Sequence, residues 1–160
     1  MRRVAVACDH AGFHLKDGIL TCLNALGFET IDLGAFQFDP SDDYPDFARA
    51  AGLAIQSGRA DRAVVVCGSG VGASIAANKM IGIRAAMCHD TYSARQGVEH
   101  DDMNVLCLGG RVIGDRMAFE VVEAFVRATY TGEERHERRL EKVRKMEAEN
   151  LAGQTQGTPS

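Results

Sequence analysis

One short segment of the sequence brings together a cysteine, a serine and three glycines. It reads Cys67-Gly68-Ser69-Gly70-Val71-Gly72 and lies between an apolar run and an amphipathic one. Alternating glycines let the backbone turn sharply, so that successive N–H groups and the positive end of the next helix converge on an anion. A thiol beside such a turn can act as a base or a nucleophile. The segment therefore predicts an anion site or an oxyanion hole next to a reactive cysteine.

Two other interpretations of this segment stay open. Its spacing, G-x-G-x-x-A, also matches the loose dinucleotide fingerprint, and Asp90 lies at about the right distance for a ribose hydroxyl. Against NAD, that fingerprint normally opens its domain, whereas this segment lies in the third β-α unit. In the other interpretation the glycines serve packing alone and Cys67 belongs to the core, where free cysteines are common.

Three titratable residues elsewhere are candidates for proton transfer or binding. Asp9 and His10 end an otherwise apolar run, and His100 lies between two acidic residues. Each has a structural alternative, because Asp9 could cap the next helix and His100 could cap its own. No metal pattern is found: the close acid pairs, Asp42-Asp43 and Asp101-Asp102, are adjacent residues that diverge on a strand or a helix.

Composition limits the classes of function. The 160 residues carry 18 basic and 22 acidic side chains, a net charge of −4, so there is no general basic field for nucleic acid or an anionic membrane. The chain shows neither a signal-peptide core nor a membrane-length apolar run, and we expect a cytoplasmic protein. Its five cysteines are widely spaced and odd in number, which favours free thiols over a disulfide framework or a zinc knuckle.

The elements that must position these residues alternate between short apolar and longer amphipathic segments. This alternation predicts an α/β fold, a three-layer α/β/α sandwich around a five-stranded parallel Rossmann-like sheet. The predicted strands are Arg3–Cys8, Phe28–Leu33, Arg62–Cys67, Ile83–Cys88 and Asn104–Leu108. The predicted helices are Phe13–Leu26, Tyr44–Gln56, Val71–Lys79, Thr91–His100, Arg116–Ala128 and Glu133–Glu149.

The chain is long enough for one domain, which we place at residues 1–150, and the composition of residues 151–160 predicts a disordered tail. In an open parallel sheet, ligands bind beyond the carboxyl ends of the strands. The segments that contain Asp9 and Cys67 each follow a predicted strand. We therefore expect both segments to line one crevice.

Several segments, in order along the chain, resemble one enzyme family. They are CDHAGFHLK, SDDYPDFA, CGSGVGASIAANK, GIRAA, EHDDMNVLCLGGRV and RHERR. From about Arg2 to Met146 the chain is similar to the type B ribose-5-phosphate isomerases, within a wider group that includes galactose-6-phosphate isomerase. The resemblance implies a homodimer or homotetramer with active sites shared between subunits, and no metal or other cofactor.

The resemblance also implies residue roles. Cys67 matches the catalytic base of members that use cysteine, and Ser69 a hydroxyl that moves protons between the substrate oxygens. His100 matches the histidine that opens the furanose ring, with Asp9 assisting. The implied substrate contacts are His10, the turn from Gly68 through Gly70, Val71 and Gly72 to Ser74, Asp101, and the phosphate-binding Arg111, Arg135 and Arg139.

One position departs from the family pattern, because Asp101 stands where Asn is usual. An amide can donate a hydrogen bond to a substrate oxygen, whereas a carboxylate cannot and repels a phosphate unless an arginine pairs with it. The expected reaction is the interconversion of ribose 5-phosphate and ribulose 5-phosphate through an enediolate. The alternatives are another aldose phosphate, namely galactose 6-phosphate, allose 6-phosphate or a tetrose phosphate, and, in a different class, a nucleotide- or NAD-binding module.

Overall fold

The computed structural model describes residues 2–155, which form five strands and six helices. The strands are β1 (Arg3–Cys8), β2 (Glu29–Asp32), β3 (Arg62–Cys67), β4 (Ala85–Met87) and β5 (Val105–Gly109). The helices are α1 (Phe13–Ala25), α2 (Tyr44–Gln56), α3 (Val71–Ala77), α4 (Thr91–Asp101), α5 (Asp115–Arg127) and α6 (Glu134–Thr155). None of the described helices is long and apolar enough to cross a membrane.

All strand pairs are parallel, and the strand order is β2-β1-β3-β5-β4. The central strands β3 and β5 are buried along their whole length, because helices cover both faces of the sheet. One core cluster joins the sheet to α1, α4 and α5, and the other joins it to α2 and α3. The predicted three-layer α/β/α fold is confirmed.

The differences from the predicted boundaries lie at the edges of this sheet. The edge strands β2 and β4 are shorter than predicted, since each pairs with one neighbour only and is partly exposed. Helix α6 is longer than predicted and continues through Thr155, so it includes the first five residues of the predicted tail. The rest of that tail, residues 156–160, lies outside the described residues.

Helix α6 is held at two points along its first two thirds. Near its start, Leu140 is buried in the body of the domain. Farther along, the Glu147 carboxylate accepts a hydrogen bond from the N–H of Gly82, which precedes β4. Val143 and Met146 on the same helix remain exposed. The helix therefore lies over the segment that leads into β4 and leaves an apolar surface open.

Candidate active site

A cleft of about 360 Å³ opens at the carboxyl ends of β1, β3 and β5. Open parallel sheets bind ligands at this edge. Its lining residues are Asp9, Tyr44, Cys67, Gly68, Ser69, Gly72, Arg111 and Val112. The structure therefore places Cys67 and the glycine turn beside Asp9, as predicted from the order of the elements.

The glycine turn is built around Gly70, which has φ +82° and caps the N-terminus of α3. An added Cβ there would meet the Met87 side chain at 2.9 Å and the Leu108 backbone at 3.1 Å. Only glycine satisfies both the left-handed backbone and this close packing. The turn aims the Gly70 N–H at Cys67 Sγ, with the nitrogen 3.2 Å from the sulfur. The thiol thus has a hydrogen-bond donor that would also stabilise its thiolate form.

The first turn of α3 supplies the candidate oxyanion donors. The Val71 N–H donates to Ser69 Oγ at 3.2 Å. The Ser74 N–H, in a residue expected to contact the substrate, donates to the Gly70 carbonyl at 3.1 Å, which is the first hydrogen bond within the helix. The Ser74 amide is therefore already hydrogen-bonded within the helix, and its place among the substrate contacts stays a prediction. The N–H groups of Gly72 and Ala73 precede the first intrahelical bond and remain the available donors.

The Asp9 carboxylate hydrogen-bonds to the backbone of the turn after β1 and also lines the cleft. Its Oδ1 accepts the N–H groups of Ala11 and Gly12, at 2.9 and 3.1 Å. Its side chain nevertheless lines the cleft, although only 5% of the residue is exposed. The turn fixes the carboxylate through Oδ1, so Oδ2 is the oxygen left to face a ligand. The carboxylate therefore binds the turn before α1 and does not cap the helix, whose N-cap is Gly12 without a side-chain hydrogen bond.

His10 is held by a residue that the sequence did not single out. Asp42 Oδ1 accepts the His10 N–H at 2.9 Å and lies 2.7 Å from His10 Nδ1. No metal pattern was found in the sequence, yet potential ligand atoms of Asp9, His10 and Asp42 lie within 4.8 Å of one another in the fold. The short contact between His10 and Asp42 is a hydrogen bond, which orients the ring and leaves Nε2 free.

The other four cysteines do not line the cleft. Cys8, Cys88 and Cys107 are buried in the core, and Cys22 is half-buried on α1. Burial raises the pKa of Cys8 and of Cys88 to about 11, and it also raises the pKa of Cys107. Cys67 is buried as well, with 4% exposed, but it alone of these thiols lines the cleft.

The connection between β4 and α4 does not support the dinucleotide interpretation. Asp90, its candidate ribose ligand, is the N-cap of α4, and its Oδ1 accepts the Ser93 N–H at 2.7 Å. The neighbouring His89 uses Nε2 to accept the Gly109 N–H at 2.9 Å. Burial lowers the pKa of His89. Both side chains therefore stabilise the local structure.

The remaining predicted site residues form a second group, at the junction of α4 and α6. The rings of His100 and His136 stack, with centroids 3.9 Å apart and an angle of 26° between the planes. His136 Nδ1 is 2.9 Å from Thr131 Oγ1. The exposed Arg135 and Arg139 lie on the first turns of α6. Asp101 lines a groove of about 1100 Å³ between α6 and the segment around β4.

These two groups lie at opposite edges of the sheet. Helix α4 starts beyond the carboxyl end of β4 and runs back, so its last turn, with His100, reaches the amino edge. Arg84, just before β4, confirms this position because its Nε donates to the Asp102 carbonyl at 2.8 Å. Cys67 ends β3 at the carboxyl edge, about 16 Å from Arg62 for a strand of this length.

Four residues of these groups were not predicted from the sequence. Tyr44 lines the cleft, Asp42 orients His10, and Gln96 and His136 contact His100. Tyr44 and Asp42 lie in SDDYPDFA, and His136 lies in RHERR. These segments carried the family resemblance, but they did not indicate a role for the three residues. Gln96 gave no signal, because a polar residue on an exposed helix is ordinary.

The chain is similar to known proteins over most of its length. Residues 4–143 match the family model described as Ribose/Galactose Isomerase. Ribose-5-phosphate isomerase B of Escherichia coli is 43% identical over 92% of this chain and 97% of its own. D-erythrulose-4-phosphate isomerase of Pectobacterium atrosepticum is 38% identical over 82% of this chain and 87% of its own.

Among solved structures, ribose-5-phosphate isomerase B of Clostridium thermocellum superposes with a TM-score of 0.88. It is 42% identical, and the match covers 92% of this chain and 99% of that one. Sequence and structure therefore agree over nearly the full length. The chain belongs to the ribose/galactose isomerase family, and it is an isomerase.

Proposed function

We propose that the protein interconverts ribose 5-phosphate and ribulose 5-phosphate through an enediolate. The observation that carries this proposal is the cleft in which Cys67 Sγ accepts the Gly70 N–H beside the N-terminus of α3, with Asp9 and Arg111 on the same walls. Aldose-ketose interconversion needs a base, donors for a developing oxyanion and an anchor away from the reacting carbons. The two groups of residues together supply all three.

The isomerisation is a proton transfer within the substrate. The Cys67 thiolate takes the proton from C2 of the open-chain aldose, and the electrons of that bond move onto the carbonyl oxygen. The N–H groups of Gly72 and Ala73 stabilise the resulting enediolate. Ser69 moves a proton from the C2 oxygen to the C1 oxygen, and Cys67 returns its proton to C1. No redox cofactor is needed, because the hydrogen moves as a proton.

Ring opening must precede this step, since ribose 5-phosphate is mainly a furanose. In the proposed step, protonated His100 gives its Nε2 proton to the ring oxygen as the bond between C1 and that oxygen breaks. The anomeric hydroxyl loses its proton to the Asp9 carboxylate, and the aldehyde remains. Charge balances, because the imidazolium becomes neutral and the carboxylate becomes protonated.

The arginines are proposed to bind the phosphate. Arg111, Arg135 and Arg139 are exposed, and no ion pair is found for them among the described residues. A guanidinium donates two parallel hydrogen bonds to phosphate oxygens, which suits a fixed anchor. His10, oriented by Asp42, is proposed to bind a substrate oxygen through Nε2.

We also propose a homodimer with shared active sites. His100 lies at the edge of the sheet opposite Cys67 in the same chain, so one subunit cannot bring both to one sugar. Apolar side chains exposed beside the cleft support a subunit contact there; they are Val71, Met87, Tyr92 and Val112. The partner's α4 and α6 would then supply His100 and the α6 arginines to this cleft.

Mixing variants tests both the site and its sharing. Cys67→Ala and His100→Ala chains are unfolded together in equal amounts and refolded. Half of the dimers are then hybrids with one intact site of two, so about a quarter of wild-type activity returns. A mixture of Cys67→Ala with Asp9→Asn should stay inactive, because both residues belong to the same side of the site. Recovery no greater in the first mixture than in this control would refute a shared site.

A four-carbon substrate is a second candidate, favoured by the similarity to an enzyme named D-erythrulose-4-phosphate isomerase. Asp101, where the family usually has Asn, is a reason to test it. Turnover is measured on aldose phosphates of four, five and six carbons, with wild type and Asp101→Asn. The proposal requires the highest kcat/KM on ribose 5-phosphate. A tenfold preference for erythrose 4-phosphate would replace it.

A further inference from the structure

The ring of His100 is held by two neighbours that the proposed reaction does not itself require. Gln96, one turn earlier on α4, places its side-chain amide nitrogen 2.8 Å from His100 Nδ1. His136, on α6, stacks against the ring face. Nδ1 and one face are thus occupied, and Nε2 is the nitrogen left for a substrate.

His136 is itself fixed, and its hydrogen bonds define its tautomer. Thr131 Oγ1 donates its single proton to the Glu99 carbonyl at 3.0 Å, so it can only accept from His136 Nδ1. The His136 proton is therefore on Nδ1. Its Nε2 is buried without a hydrogen-bond partner among residues 2–155, as a bare lone pair can be. Only 2% of His136 is exposed.

The neutral state of His136 suits a neighbour that must change charge. Burial lowers the pKa of His136, and the charges of His100, Arg135 and Arg139 add to the effect. An uncharged ring can face His100 in both of its protonation states, whereas a second imidazolium 3.9 Å away would repel it. Glu99, next to His100 in sequence, connects the last turn of α4 to His136 through Thr131.

The Gln96 amide has a complementary property. An amide offers a donor at nitrogen and an acceptor at oxygen. With the nitrogen towards the ring, as here, it donates to an unprotonated Nδ1; after turning over, its oxygen accepts from a protonated one. Ring opening starts from the imidazolium, so in that step Nδ1 keeps its proton, the amide oxygen accepts from it, and only Nε2 loses and regains a proton.

We propose that Gln96 and His136 are positioning residues for ring opening, which hold the His100 imidazole so that Nε2 exchanges the proton with the sugar ring. The inference rests on the proposed function, because it assigns supports to a residue given its role there. It concerns one step only. Removal of either support should impair the opening of a furanose and spare the chemistry at Cys67.

Two assays separate these steps. Turnover of ribose 5-phosphate requires ring opening. Exchange of the C1 hydrogen of ribulose 5-phosphate with D2O requires only the enediolate, because the 5-hydroxyl that would close a furanose ring carries the phosphate. The first assay therefore reports on His100 and Cys67 together, and the second on the Cys67 side of the site.

The variants are Gln96→Met, which keeps the size but not the hydrogen bond, and His136→Ala, which removes the stacked ring. Each should lower ribose 5-phosphate turnover about tenfold, as expected for one lost contact to a charged group, with C1 exchange within about twofold of wild type. His136→Phe keeps an aromatic face and should recover part of the loss. Gln96→Glu should move the pH profile of turnover to higher pH, because a carboxylate at Nδ1 favours the imidazolium.

Gln56→Glu is the matched control, the same change on α2, where the side chain donates to the Ile81 carbonyl. It should leave both assays unchanged. Equal losses in turnover and exchange for the Gln96 and His136 variants, or no loss in either, would overturn the inference and leave the proposed function standing. A wild-type protein inactive in both assays would overturn the proposed function and this inference with it.

Discussion

Gly70→Ala tests the central geometric claim about the cleft. Gly70 has φ +82°, and an added Cβ would lie 2.9 Å from Met87 Cγ and 3.1 Å from the Leu108 carbonyl carbon. The side chain can move, but the backbone of Leu108 belongs to the central strand β5. The turn must therefore shift, and with it the N–H that points at Cys67 Sγ.

The expected magnitudes follow from these contacts. A non-glycine residue in the left-handed region costs roughly 1–2 kcal/mol, and overpacking in a close-packed interior adds roughly 1–3 kcal/mol. In a chain of this size 1 kcal/mol lowers Tm by about 2–4 °C, so Gly70→Ala should lower it by about 10 °C. A lost hydrogen bond to the thiolate should lower kcat roughly 10- to 100-fold.

Gly27→Ala is the matched control. Gly27 follows α1 with φ +86°, and an added Cβ there meets nothing within 4 Å. The variant has the same backbone strain without the clash, so Tm should fall by about 4 °C with kcat unchanged. Thermal unfolding and ribose 5-phosphate turnover are measured on both variants. If Gly70→Ala matches Gly27→Ala in Tm and kcat, the turn does not position the thiol's donor and the reasoning fails.

Four further predictions follow from the same structure. Cys67→Ala should lower kcat about a thousandfold with ribose 5-phosphate binding, measured by calorimetry, nearly unchanged; unchanged kcat would exclude it as the base. Arg139→Ala should raise KM for the phosphorylated sugar about tenfold, whereas Arg138→Ala, beside it on α6, should not; equal effects would indicate a structural role. Arg62 is buried, and its guanidinium donates to the Ala128 carbonyl at 2.9 Å; Arg62→Met should therefore reduce the free energy of unfolding in urea by about 3 kcal/mol. Burial lowers the pKa of His136 from 6.5, so its contribution to stability is present above that pH and is lost as the pH falls towards the folded-state pKa. The loss of stability from pH 7.5 to 5 should be smaller in His136→Phe, and an equal loss would contradict this assignment.

The fold could be predicted from the sequence because its signals are local. The strands β1, β3 and β5 read as continuous apolar runs, which only a strand covered on both faces needs. The edge strand β4 was predicted too long, because the apolar residues that flank it are buried in the core although they lie outside the strand. Ile83 and Cys88 are buried in this way.

The cleft was predicted in part. Strand order and parallel direction bring the ends of β1 and β3 together, so Asp9 and Cys67 could be placed in one crevice from sequence alone. The hydrogen bond of the Ser74 amide could not be predicted from the sequence, because it depends on the residue at which α3 begins. The contact between His10 and Asp42 could not be predicted either, because Asp42 lies in a polar loop whose path cannot be inferred from hydrophobic periodicity.

The division of the site between two edges follows from the topology of any β-α-β unit. A crossover helix starts at the carboxyl edge of the sheet and ends at the amino edge, so a residue in its last turn is separated from the strand-end residues by the length of the sheet. His100 is such a residue, and α6, which follows the end of α5, starts at the same edge. The proposed reaction, which uses both His100 and Cys67, would therefore need two chains. The order of the elements along the sequence does not predict the stacking of His136 on His100, because only the packing of α6 against α4 brings the two rings together.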